Sequence, residues 1–290
     1  MRSNYEVTSD RFNIFASALS CLVFCHNVGC GDSSEAPGPA GSKEPDGGAA
    51  AESVQSCVDT NCEESKLDAR WLCPVDSMSV RADTVRYSVR VVDFVSAMPR
   101  QDLKVKACRN SDLNCEDPVA TFVDTKQTGR AQLELPSGFL GFFEVKSDAV
   151  DTLLYVTKPI VEDTIDRDIT VPTLETIDLL ASLLEYTWDM DKGLVVLEVL
   201  DCSEAPQSGI HFECHAGGDG FYMVNGIPFK SEQMTMYDPM NNTAEGGFIN
   251  VPQGLVQFSA QVGVDSEVMS LGSVNVQIRP STLTIIELHP

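Results

Sequence analysis

Positive charge is scarce in this sequence: 20 Lys and Arg stand against 43 Asp and Glu, a formal charge of −23. Phosphate neutralisation needs clustered cations, so the composition argues against nucleic acid as a partner. The same acidity keeps a protein soluble and repels anionic membrane surfaces. Histidine is scarcer still, with four residues in all, one of them (His26) close to the N-terminus. No G-x-S-x-G elbow is present, nor a glycine loop ending in Gly-Lys-Ser/Thr. No apolar run is long enough to cross a bilayer comfortably as a helix. The acid pairs Asp163/Asp166 and Asp189/Asp191 are what chance supplies among 43 acids, and they make no case for glycoside chemistry.

Cysteine, by contrast, is plentiful, at ten residues. Cys21, Cys25 and Cys30 lie in the N-terminal apolar region. Seven others follow, at Cys57, Cys62, Cys73, Cys108, Cys115, Cys202 and Cys214. The short separations suit local disulfides in an oxidising compartment, Cys108 with Cys115 and Cys202 with Cys214. Seven is odd, so one thiol is free or pairs elsewhere. Cys57, Cys62 and Cys73 lack C-x-x-C spacing, which favours a disulfide knot over zinc.

After Arg11 the chain is apolar from Phe12 to Phe24, the length of a signal-peptide h-region. The run ends at Val28-Gly29-Cys30. A small residue before a cysteine in this place resembles the lipobox of bacterial lipoproteins, a family in which the cysteine is lipidated and becomes the first mature residue. Cys21, after Ala18-Leu19-Ser20, is a second candidate. The stretch "GDSSEAPGPAGSKEPDGGAAAES" has almost no apolar bulk to bury and reads as a disordered tether. Gly31 stands where the resemblance would place an inner-membrane aspartate, which points towards the outer membrane of a Gram-negative cell. The expected organisation is a signal peptide over 1–29, a tether over 30–55 and a short Cys-containing segment over 56–80.

From Tyr87 onwards the chain reads as strands, and their order repeats. "YSVRVVDF" is echoed by "LVVLEVLDC", with Asp201 at the place of Asp93. "SAMPRQDLKVKA" is echoed by "SEAPQSGIHFEC", with Pro206 at Pro99. "RAQLELPSGFLGFFE" is echoed by "GGFINVPQGLVQFSA", with Pro252 at Pro136 and Gly254 at Gly138. Strands "SVNVQIRP" and "STLTIIELHP" close the chain. Short strands with Gly/Pro turns argue for sandwiches. The pattern, with Thr128 and Gly129 in the first copy and Gly209 and Gly247 in the second, resembles carboxypeptidase-regulatory-like, or transthyretin-like, domains. The first copy departs in having Asp102 where the second has Gly209. That resemblance implies seven-stranded immunoglobulin-like β-sandwiches without an activity of their own. "VPTLETIDLLASLLEYTW" sets Leu174, Ile177, Leu180, Ala181 and Leu184 at helical spacing, with Thr173 as N-cap. The expected fold is all-β: two tandem sandwiches, over 81–160 and 191–290, joined by one amphipathic helix within 161–190.

"GIHFECH" is the one cluster with metal-ligating residue types. In a strand, His211, Glu213 and His215 share a face, and two imidazoles with a carboxylate suit zinc. Neither zincin spacing is met. The repeat sets His211 on Lys104 and Glu213 on Lys106, so a charged strand face with Ile210, Phe212 and Cys214 turned inward accounts for the pattern. Intradiol dioxygenases share the sandwich form, but their paired histidines are differently spaced and follow the P-x-G strand. The expectation is a non-enzymatic surface protein without a cofactor, held to the membrane by a lipid on Cys30, with a structural role or a protein or glycan ligand. The alternative is a metal-binding protein or metal-dependent enzyme using His211, Glu213 and His215. The apolar loop "HAGGDGFYMVNGIPFKSEQMTMYDPMNN" is the expected contact region unless it packs down as extra strands.

Overall fold

The computed structural model describes Trp71 and residues 83–123, 128–203, 209–224, 227–230, 245–264 and 267–290. The signal peptide, Cys21, Cys30, the tether, and Cys57, Cys62 and Cys73 lie outside the described residues. Seven strands form the first copy: β1 (Thr84–Asp93), β2 (Lys104–Arg109), β3 (Ala120–Val123), β4 (Arg130–Pro136), β5 (Gly141–Lys146), β6 (Thr152–Val156) and β7 (Thr164–Val171). Helix α1 (Leu174–Leu183) follows. The second copy comprises β8 (Gly193–Val199), β9 (Ile210–Cys214), β10 (Asp219–Val224), β11 (Ile227–Lys230), β12 (Glu245–Val251), β13 (Gly254–Val264), β14 (Glu267–Ile278) and β15 (Leu283–Leu288).

The repeat seen in the sequence is a repeat of topology. In the first copy β1 lies between β4, antiparallel, and β7, parallel; in the second β8 lies between β12, antiparallel, and β15, parallel. The β2–β5–β6 ladder likewise matches β9–β13–β14. The Pro-x-Gly turns at Pro136–Gly138 and Pro252–Gly254 carry the chain from one sheet to the other in each copy. The fold is thus all-β, with immunoglobulin-like sandwiches, as the patterning implies.

The two sandwiches share a sheet. β15 pairs in parallel with both β8 and β6, fusing half of each copy into nine strands ordered β11-β10-β12-β8-β15-β6-β5-β2-β3. Sheet β4-β1-β7 encloses one core with the β6-to-β3 half, around Tyr87, Leu103, Leu133 and Phe143. Sheet β14-β13-β9 covers the opposite face, around Phe142, Leu197, Phe258 and Ile286, and Trp71 belongs to this core. Strands buried on both faces read as continuous apolar runs, which explains "TLLYV" and "LVVLEV". Phe142 and Phe143 are fully buried on opposite faces, each worth about 1.5–3 kcal/mol.

Helix α1 is shorter than the expected segment, because 161–190 begins with β7. There the period is two: Ile169 and Val171 enter the core, while Asp168 bonds Arg90. The helix itself is capped as expected, with Thr173 Oγ1 accepting from the Thr176 amide at 3.2 Å. Its Ile177, Ala181 and Leu184 pack on Leu194, Leu283, Phe221 and Ile249 of the nine-stranded sheet. The helix thus lays its apolar face against the sheet, as an amphipathic helix docked on its own domains does. No described helix is long and apolar enough to cross a membrane, which says nothing of β-barrels.

Candidate functional site

Strand β9 presents "GIHFECH" edge-on. Among the described strands it pairs only with β13, in the register His211↔Gln261, Phe212↔Ala260 and Glu213↔Ser259. Ile210 and Phe212 are buried, whereas His211 is half-buried and Glu213 and His215 are exposed. His215 Nε2 stands 3.9 Å from Glu213 Oε2, and Ser259 Oγ donates to the same oxygen at 3.3 Å. Among the described residues, no three His, Cys, Asp or Glu side chains are gathered closely enough to hold a metal ion.

The thiols divide differently from expectation. Cys108 and Cys115 are bonded, with Cα atoms 5.4 Å apart. Cys214 is a free thiol, so the expected Cys202–Cys214 bridge is absent; Cys202 is in a different disulfide. The reason is local. The chain turns sharply after β9, the Cys214 Sγ donates to the Gly217 carbonyl at 3.0 Å, and the side chain leans on the second core. Burial pushes this thiol up, away from thiolate reactivity.

The Cys108–Cys115 loop sits where the copies meet. Arg279, just after β14, donates to buried Glu144 on β5 at 2.5 Å and to the Leu113 carbonyl at 2.9 Å. Lys106 reaches Glu144 at 3.2 Å and the Cys115 carbonyl at 3.3 Å. Burial raises the Glu144 carboxyl, but the bonds from Arg279 and Lys106 outweigh it and hold it below its usual range. Lys106, read from the sequence as an outward residue, therefore faces the second copy.

The long apolar loop folds partly as strands. β10 and β11 form a hairpin that extends the sheet and buries Phe221, Tyr222 and Met223, while Phe229 stays exposed; Tyr237 lies outside the described residues. Sequence reasoning did not find the carboxylates beside this hairpin. Glu245 on β12 is directly opposite Glu198 on β8, which is in turn beside Glu287 on β15. Arg167 pairs with Glu287. Glu245 is half-buried; burial first, and then repulsion from Glu198, push its carboxyl well above the usual carboxylate range. It lines a cavity of about 80 Å³ between α1 and the sheet. A lone glutamate within "NNTAEGG" carried no sequence signal, because its apolar neighbours come from other strands.

No protein-family profile matches the chain, and no curated protein matches it. Solved structures similar to it include the Bacillus anthracis TIE protein, at 9 % identity and a TM-score of 0.23, covering 71 % of this chain and 34 % of that one. The shaft pilin SpaA of Lactobacillus rhamnosus GG gives 9 % identity and 0.22, covering 71 % and 98 %. GBS52, the minor pilin of Streptococcus agalactiae, gives 14 % and 0.20, covering 70 % and 95 %. The chain thus spans about a third of the Bacillus anthracis protein. At these scores the likenesses carry no argument about function.

Proposed function

We propose that this is a non-enzymatic protein of the bacterial cell envelope, tethered by a lipid on Cys30 to the outer membrane of a Gram-negative cell. Its fused sandwiches serve a structural role or bind a protein or glycan. The observation that carries the reading is the Cys108–Cys115 disulfide, built into the seam between the copies. Disulfides of this structural kind persist in oxidising compartments and are rare in the cytosol. The Val28-Gly29-Cys30 sequence and the polar stretch behind it supply the matching export and anchoring signals. Metabolic labelling with a fatty acid tests this. The wild type should carry label, Cys30→Ser should lose it, and the protein should fractionate with outer membranes. Label that survives in Cys30→Ser but is lost in Cys21→Ser moves the anchor to Cys21. An unlabelled wild type overturns the anchored reading.

A further inference from the structure

The described cysteines are Cys108, Cys115, Cys202 and Cys214. Cys108 and Cys115 bond each other, Cys214 is a free thiol, and Cys202 is in a disulfide. The partner of Cys202 is therefore none of the other three. On the lipoprotein reading Cys30 is acylated, and Cys21 and Cys25 leave with the signal peptide. That confines the choice to Cys57, Cys62 and Cys73, all of the short segment over 56–80 and all outside the described residues.

One residue of that segment has a described place. Trp71 precedes β1 in the chain, yet it is 6 % exposed and belongs to the core beneath β14-β13-β9, which is the core of the second copy. A tryptophan buries some 150–250 Å² and commits the backbone beside it. Val199, the last residue of β8, belongs to the same core. The chain then turns at the end of the sheet, where the Leu200 amide donates to the Leu288 carbonyl and the Ser203 amide to Asp201 Oδ1. Cys202 lies half-buried in that turn. At about 3.5 Å per residue, Cys73 stays within about 7 Å of Trp71, and Cys202 within about 11 Å of Val199. Cys62 and Cys57 stand farther up the chain, and Trp71 holds neither of them to this core.

We infer that Cys202 is bonded to Cys73, so that a disulfide clasps the segment ahead of the first sandwich to the second one. Cys57 then pairs with Cys62, and the odd count of seven resolves into three bridges and the free Cys214. Each bridge forms by exchange with the disulfide of an oxidised dithiol protein. The two thiols give up two protons and two electrons, and the oxidant takes them and leaves as two thiols. The ring closed through Cys73 and Cys202 contains the whole first copy. On the anchored reading, a pull on the lipid enters the fold at the end of β8 as well as at β1, and both sandwiches share it.

Disulfide mapping of the full mature chain tests this, after export and denaturation in N-ethylmaleimide without reductant. Trypsin leaves Cys73 alone on 71–81, Cys57 and Cys62 together on 44–66, and Cys202 with Cys214 on 193–230. Peptide 71–81 should be joined to 193–230, which carries one maleimide on Cys214, and 44–66 should be unlabelled and joined to nothing. Cys73→Ser, Cys202→Ser and the double variant should melt lower by the same amount, on the order of 5–10 °C, since each opens the same bridge. Peptide 193–230 joined to 44–66, two maleimides on 193–230 while Cys108–Cys115 is closed, or additive losses in the double variant overturn the pairing. None of these touches the fatty-acid label, so the anchored reading stands or falls separately. Maleimide on all seven cysteines overturns the pairing and the oxidising compartment together.

Discussion

Single residues carry opposite electrostatic histories in this fold. Asp93 is buried enough for desolvation to raise its carboxyl, yet amides and hydroxyl of the following turn and the Arg100 guanidinium win and lower it. Asp201 repeats the turn in the second copy, accepting from the amide and hydroxyl of Ser203. Among the described residues Glu245 has no such donors, and its carboxyl is raised from an ordinary value of 4.5. A group raised on folding stabilises the native state fully below its unfolded value and loses that contribution as pH rises through the folded value. Wild type should therefore lose stability relative to Glu245→Gln as pH climbs from about 4 towards 8. The gap should reach on the order of 1 kcal/mol in favour of the variant, read by urea denaturation at each pH. A difference that does not change with pH would mean that Glu245 is not held protonated by burial. Asp93 and Asp201 were legible from the sequence as a matched pair, because an Asx turn is local. Glu245 was not, because its environment is assembled by strands far apart in the chain.

At the scale of elements, the Pro-x-Gly turns and the paired strands were legible because turn chemistry and period-two patterning are local. Asp102, an apparent departure from the repeat, is none in the backbone: its φ of 54° matches the left-handed Gly209 at 79°. Aspartate is among the few residues that tolerate this region. The second copy carries one extra residue between Phe248 and Val251, where the register with β8 shifts and Asn250 is left-handed at 62°. Such a bulge is invisible in an alignment by eye. Gly129, at the entry to β4, has φ of 67°, and a Cβ there would stand 2.7 Å from the Val91 carbonyl oxygen and 2.9 Å from the Pro99 Cβ. Both conformation and space forbid a side chain. Gly129→Ala should cost about 2 kcal/mol or more in thermal or chemical unfolding. Gly138→Ala, left-handed but with open space, should cost less. Equal losses would mean that strain alone matters at these turns.

At the scale of the whole molecule the two copies are joined by a shared sheet as well as by the helix. The run "LTIIEL" was legible as a strand closing the chain, but nothing local said that β15 would lie between β8 of its own copy and β6 of the other. Burial then follows on both sides, with Ile286 in the core under β14-β13-β9 and Ile285 against the first sandwich and the helix. Parallel pairing of strands so distant in sequence cannot be inferred from turns, since no turn makes it. The seam adds charge to this continuity, through Arg279 on Glu144 and Arg167 on Glu287. Separate domains would unfold separately, whereas a sheet common to both cores cannot lose one half without exposing the other half's edge. Calorimetry should accordingly give a single transition for residues 83–290. Phe143→Ala in the first core and Phe258→Ala in the second, each costing about 3–5 kcal/mol, should lower that same midpoint. Two resolved transitions, each shifted by only one of the substitutions, would show that the β6–β15 pairing does not couple the sandwiches.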